Sequence, residues 1–160
     1  MFVAHAPAGY LLGKAMISPK APLRSSSMGA VVLGSIFPDL DMLYFHLIDK
    51  GQVHHHMYVT HWPLVWIGLT LITLLIFRSA SSTRNLVLYF SLGGVLHNCL
   101  DTIASPVYWL APFSYTAIEL VTVPATYNHW IFSFLLHWTF GIELLIILAA
   151  TVMFYKDLKR

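Results

Sequence analysis

The chain has 160 residues, of which 58% are apolar and only 10% charged, with a mean hydropathy of +0.70. An ordinary soluble domain runs at roughly 45–50% apolar and about 25% charged, so the composition excludes a soluble globular protein. A formal net charge of +2 with no basic stripe excludes a nucleic-acid partner, and the single cysteine, Cys99, excludes an intramolecular disulfide framework and is expected to pack within its apolar run.

In chain order, hydropathy and helix breakers predict apolar helices over roughly 2–17, 28–48, 62–77, 85–104 and 130–155. At about 20 residues per crossing, this is an all-α polytopic membrane bundle of four to five transmembrane helices, one embedded domain over residues 1–160. The first helix is short. No basic residue precedes it, since the first cation is Lys14, which separates it from a secretory signal and predicts that it stays on the mature protein. Residues 18–27, rich in proline and serine, and the 78–84 segment read as loops. Pro63 opens the third helix in its first turn, where its missing N–H costs nothing.

The cations orient the bundle. Lys14, Lys20 and Arg24 precede the second span, Arg78 and Arg84 join the third to the fourth, and Lys156, Lys159 and Arg160 end the chain, while the opposite side holds only Lys50. The positive-inside rule makes the crowded side cytoplasmic, with the C-terminus inside. Trp62, Trp109 and Trp130 then fall near the outer boundary as interfacial anchors.

On this map the ionisable residues share one depth. His54, His55, His56 and His61 lie in or beside the outer 49–61 loop, Asp39 and Asp41 in the outward half of the second span, His97 and Asp101 in that of the fourth, and His129 at the outer start of the fifth. His5 joins them if the first helix crosses with its N-terminus outside. This predicts a metal site in the outer third of the bilayer, facing the periplasm.

His97 and Asp101 stand four apart, on one helical face, the spacing of a two-ligand clamp or of a pair that neutralises itself. Asp39 and Asp41, two apart after Pro38, would diverge in a continuous helix, so serving one site requires a break near the proline; the alternative is a helix end with a solvated cap. Imidazoles mixed with carboxylates favour zinc, manganese or iron over calcium or magnesium. Neighbouring ring directions diverge, so His54 or His55 holds at most an outer position. Glu143 falls near the middle of the last span, about three turns below Trp130, with His137 about 9 Å above it. It either lines a polar cavity or is hydrogen-bonded to a neighbouring helix.

His5, Pro38-Asp39-Leu40-Asp41, His56 through Thr60-His61, His97 with Asp101, and Leu110-Ala111-Pro112-Phe113-Ser114 follow one another as in the YdjM-like family, which the chain resembles over residues 1 to about 114. These are bacterial inner-membrane proteins, LexA-linked in their type member and regarded as metal-dependent hydrolases, with phospholipase activity suggested. The resemblance implies metal ligands at His5, Asp39, Asp41, His56, His61, His97 and Asp101. Met57-Tyr58 stands where the family usually has Arg-Gly, and Trp62 where it has Ser, so the arginine that would meet a phosphate is missing here.

A divalent metal, zinc or manganese, would lower the pKa of its water and polarise the bond attacked. Seven candidate ligands exceed the three that one catalytic zinc needs, which allows one or two ions, with Asp39 or Asp41 bridging them or acting as base; Asp41 is the catalytic candidate. With only Lys50 outside, metal must neutralise the charge of a phosphoester. A site reached from the lipid suits a phospholipid or polyprenyl phosphate, the partners being the bilayer and this substrate. No serine-hydrolase elbow or zincin motif is present. The rival reading is an ion, proton or metal transporter that uses the same cluster, with His137 and Glu143 continuing the path inward. Axial haem ligation would leave the aspartates without a part.

Overall fold

The computed structural model describes residues 3–21, 24–77, 79 and 81–159. Arg78 and Arg160 from the cation count, Phe2 from the first predicted helix, Pro22 and Leu23 from the loop after it, and the side chain of Trp130 lie outside the described residues.

Among the described residues the chain is all-α, with seven α-helices and one isolated antiparallel bridge, Val107 to Ile118. The helices are α1 (His5–Met16), α2 (Arg24–Ile36), α3 (Asp41–Tyr44), α4 (Pro63–Ile76), α5 (Ser82–Asp101), α6 (Trp130–Leu135) and α7 (Thr139–Leu158). The most extensive packing is α2 on α5, followed by α1 on α2 and α4 on α5, while α7 leans on α1.

Close approach of backbones makes this packing possible. A Cβ built on Gly34 would lie 1.9 Å from the Phe90 carbonyl oxygen, and one on Gly93 would lie 2.3 Å from that of Val31. Small residues at helix contacts are the usual device where lipid removes the hydrophobic drive for association. Burial is correspondingly inverted. Among the described residues the buried polar side chains outnumber the buried apolar ones, and the large apolar side chains, among them Leu47, Leu75, Leu120 and Leu145, point outward.

The predicted second helix is broken at Phe37. Arg24–Ile36 and Pro38–Asp49 form a pair bent by 53°, because proline removes an N–H and its ring clashes with the preceding turn. Left-handed backbone at Lys50 (φ 53°) and Gly51 (φ 76°) ends the segment. The predicted fifth helix is also divided, and its long part begins only at Thr139.

By length and composition, α7 is long and apolar enough to cross a membrane, and the bent pair passes the same test as one broken span. The helices are otherwise shorter or more polar than the sequence suggests. At 12 and 14 residues, α1 and α4 measure about 18 and 21 Å, below the roughly 30 Å of a bilayer core. α1, α2, α4 and α5 alternate in direction, as the contacts among His5, Ser35, His61, His97 and Asp101 require. The start of α1, the end of α2, the start of α4 and the end of α5 therefore meet at one end of the bundle. Cys99 is exposed on α5, not packed, because its neighbours His97, Asn98 and Asp101 take the inward face.

Candidate metal centre

His97 and Asp101, one turn apart on α5, form the centre of the cluster, with His97 Nε2 2.9 Å from Asp101 Oδ2. His5, the first residue of α1, places Nε2 3.2 Å from the other oxygen, Oδ1, and its ring stacks on His97 at 3.9 Å between centroids. His56, in a 3-10 turn over His55–Met57, brings Nε2 to 3.4 Å from Asp101 Oδ2. His61, at the end of the next turn, directs Nε2 at His97 Nε2 (3.2 Å), Asp39 Oδ1 (3.6 Å) and Asp101 Oδ2 (3.9 Å). The break after α2 turns Asp39 inward, so its Oδ1 also lies 3.7 Å from His97 Nε2. His5, His56, His61, His97 and Asp101 are buried, whereas the Asp39 side chain is 38% exposed.

The far side of each ring fixes its tautomer. The Nδ1–H of His56 donates to the Pro106 carbonyl (2.8 Å), that of His97 to the Ser35 carbonyl (2.9 Å) and that of His61 to Asp41 Oδ2 (2.6 Å). Carbonyl and carboxylate oxygens only accept, so each neutral imidazole presents an Nε2 lone pair to the centre. Two such lone pairs at 3.2 Å, beside carboxylates, repel one another unless a cation lies among them. Orienting a ligand histidine through its other nitrogen is how metal sites hold their imidazoles. Donor atoms of three sets lie mutually within 4.8 Å: His5, His97 and Asp101; Asp39, His61 and His97; and His55, His56 and His61. The donor chemistry fits a borderline divalent metal.

Without metal, a proton takes that place on His61. Burial pushes His61 down, but hydrogen bonds to Asp39 and Asp41 and the surrounding carboxylate charge outweigh it and raise the ring to about 9. His56, whose burial is not outweighed, is pushed down to about 3.

Asp41 is buried behind His61. Its Oδ2 accepts from the His61 Nδ1–H and from the Thr60 hydroxyl, and its Oδ1 stands 3.7 Å from His55 Nδ1. His54 is exposed and accepts from the His56 amide, which makes it a cap for the turn. His129 is exposed and caps α6, and His137 bonds Thr139. Neither appears in the three donor sets. Glu143 is not several turns below the site as the sequence suggests. Because α7 starts at Thr139, Glu143 lies in its second turn, fully buried, and accepts from the amides of Val3 (2.6 Å) and Ala4 (3.1 Å), next to His5.

Several contributors carry no obvious signal in the sequence. Trp62 and Trp66 donate their indole N–H groups to the carbonyls of Met57 (2.9 Å) and Thr60 (2.7 Å), pinning the loop that bears His56 and His61. Trp109 donates to the Thr102 hydroxyl. The connection after α5 folds back, with Leu120 and Val121 amides on the carbonyls of Thr102 and Ile103, and so brings Pro106 to His56. Paired tryptophans four apart, beginning beside a histidine, are the one pattern that could have suggested such a brace.

Searches of curated proteins and of solved structures found no match. The family model of the YdjM inner membrane protein matches residues 1–158, nearly the whole chain and every residue of the cluster, and the protein belongs to the YdjM inner membrane protein family.

Proposed function

We propose that this chain is a multi-pass membrane hydrolase that uses one or two divalent metal ions, zinc or manganese, on a phosphoester or phospholipid-like substrate. The observation that carries the reading is the convergence of the Nε2 atoms of His61 and His97 at 3.2 Å, with Asp101 2.9 Å from His97 and the partly exposed Asp39 3.6 Å from His61. The outward-facing apolar side chains and buried polar ones support embedding in the bilayer, with the short helices crossing as part of the bundle. The cytoplasmic C-terminus and the periplasmic aspect of the site rest on the cation distribution.

His5, His56, His61, His97, Asp39 and Asp101 would hold a divalent metal, which when bound would supply Lewis acidity and an acidified water. The protein's own groups do the rest. Asp101 would be the ligand shared most widely, since its oxygens face different histidines: Oδ1 meets His5 and Oδ2 meets His97 and His56. Asp39, the partly exposed carboxylate, faces His61 and His97 through Oδ1 and would hold a proton at its other oxygen. Asp41, engaged by His61 Nδ1 and Thr60, holds His61 in place rather than acting as the base. Phe37, Leu40 and Leu43 flank Asp39 and are exposed, an apolar approach suited to a substrate whose head group lies at the interface. Elemental analysis of detergent-purified protein, paired with hydrolysis of a phospholipid and phosphoester panel before and after chelation, tests this. One or two equivalents of metal and chelator-sensitive hydrolysis are expected; metal-free protein that hydrolyses the panel would remove the mechanism.

A further inference from the structure

We propose that Glu143 is a positioning residue that fixes His5 in the cluster by capping α1 from across the bundle, an inference that rests on the metal reading above. The start of α1 has no cap of its own. Val3-Ala4-His5-Ala6 offers no serine, threonine, asparagine or aspartate, and the cap position, Ala4, makes no side-chain hydrogen bond. The first N–H groups of a helix need an acceptor, and Ala4 is fully buried, which keeps water from serving. Glu143 Oε2 accepts from both Val3 and Ala4 at 2.6 and 3.1 Å, and its carboxylate sits at the positive end of the α1 dipole.

The next residue along the chain is His5, whose Nε2 lies 3.2 Å from Asp101 and whose ring stacks on His97. A displacement of Ala4 therefore moves a ligand with no intervening freedom except the side-chain torsions. The far end of α1 is fastened to the same helix: Lys14 Nζ contacts both Asp157 oxygens (2.7 and 2.6 Å) and the Tyr10 hydroxyl donates to Asp157 at 2.8 Å. Two carboxylates of α7, about 21 Å apart by helical rise, thus set the axial position of α1. Between them lies an apolar groove bordered by Ala6, Pro7, Ile147 and Phe154.

The test is a double-mutant cycle on Co2+ binding by the full-length protein in detergent, read by the visible ligand-field spectrum. Glu143→Gln retains one acceptor oxygen and should weaken Co2+ by about 10-fold; Glu143→Leu retains none and should weaken it by about 100-fold. Both should change the spectrum in the direction that His5→Ala does. In His5→Ala background, either Glu143 substitution should cause no further loss, because its effect passes through the missing ligand. If Glu143→Leu does not fold, the Gln arm carries the cycle alone. Wild-type protein that takes up no Co2+ overturns the metal reading itself. Wild-type uptake with an unchanged Glu143→Gln spectrum and affinity, or losses that add to those of His5→Ala, overturns the positioning role alone.

Discussion

Replacing Gly34 with alanine adds one methyl group where α2 packs on α5, at a residue that is no candidate ligand, yet it should disturb the metal centre. The new Cβ would lie 1.9 Å from the Phe90 carbonyl oxygen and 2.8 Å from its carbonyl carbon, where real Cβ contacts essentially never fall under 3.0 Å. Both atoms belong to backbone, so no side chain can swing away; α2 and α5 must part locally by about 1 Å, at a cost of about 1–3 kcal/mol typical of overpacking. The next residue, Ser35, gives the carbonyl that receives His97 Nδ1–H at 2.9 Å. Stretching that contact by about 1 Å carries it beyond useful hydrogen-bond length, freeing the ring that faces both His61 and Asp101. Thermal unfolding in detergent at one fixed scan rate should drop by roughly 3–10 °C, and metal affinity should fall by at least about 10-fold, as when an outer partner of a ligand is lost. Gly29→Ala on the same helix is the control: a Cβ there meets nothing within 4 Å, and the helix should gain up to about 1 kcal/mol. Wild-type melting and metal affinity in Gly34→Ala, or an equal loss in Gly29→Ala, would refute the close-packing argument.

Asp41→Asn keeps an acceptor for His61 but removes the charge, and should lower metal affinity by about 10–100-fold without emptying the site; complete loss would make Asp41 a direct ligand. His61→Ala should abolish stoichiometric metal, whereas His129→Ala, at an exposed helix cap, should retain it, as elemental analysis can decide. Metal uptake must displace the proton that carboxylates hold on His61 up to about 9. Affinity should therefore climb about tenfold per pH unit from neutrality and level off above that value, and a flat titration would exclude proton competition at His61. By the same linkage, His61 stabilises the metal-free protein fully below its unfolded value of about 6.5 and ceases to as pH rises through about 9. Reporter fusions after residue 159 and in the 79–83 loop should read cytoplasmic, and fusions in 115–127 periplasmic; the opposite result for 115–127 would invert the orientation.

The cluster was legible because lipid makes buried ionisable groups expensive. In so apolar a chain, His5, Asp39, His61, His97 and Asp101 had few reasons to exist except one another, and their alternation along the helices already put them at a common end. The break near Pro38 was legible for a similar reason: Asp39 and Asp41 cannot share a site on a continuous helix, and the fold satisfies both, with Asp39 turned to the Nε2 atoms and Asp41 to His61 Nδ1. Hydropathy could not separate those two roles, since it weighs both carboxylates alike.

The placement of Glu143 relative to the site was the step that failed. Counting 1.5 Å per residue from Trp130 assumes one unbroken helix, but Leu136 to Trp138 interrupt it, and the count restarts at Thr139. Nothing in that stretch is a proline or glycine. The interruption is held by contacts made after folding: the His137 amide on Phe134, Phe140 on His137, and the His137 ring on the Thr139 hydroxyl. Such bonds hold few local cues, because their partners are ordinary residues in good helix-forming sequence. The partner they align is remote: the amides of Val3 and Ala4, just ahead of α1, are met by Glu143, which the shifted start of α7 brings level with them. A missing cap at one end of the chain is thus the signal for a buried carboxylate at the other.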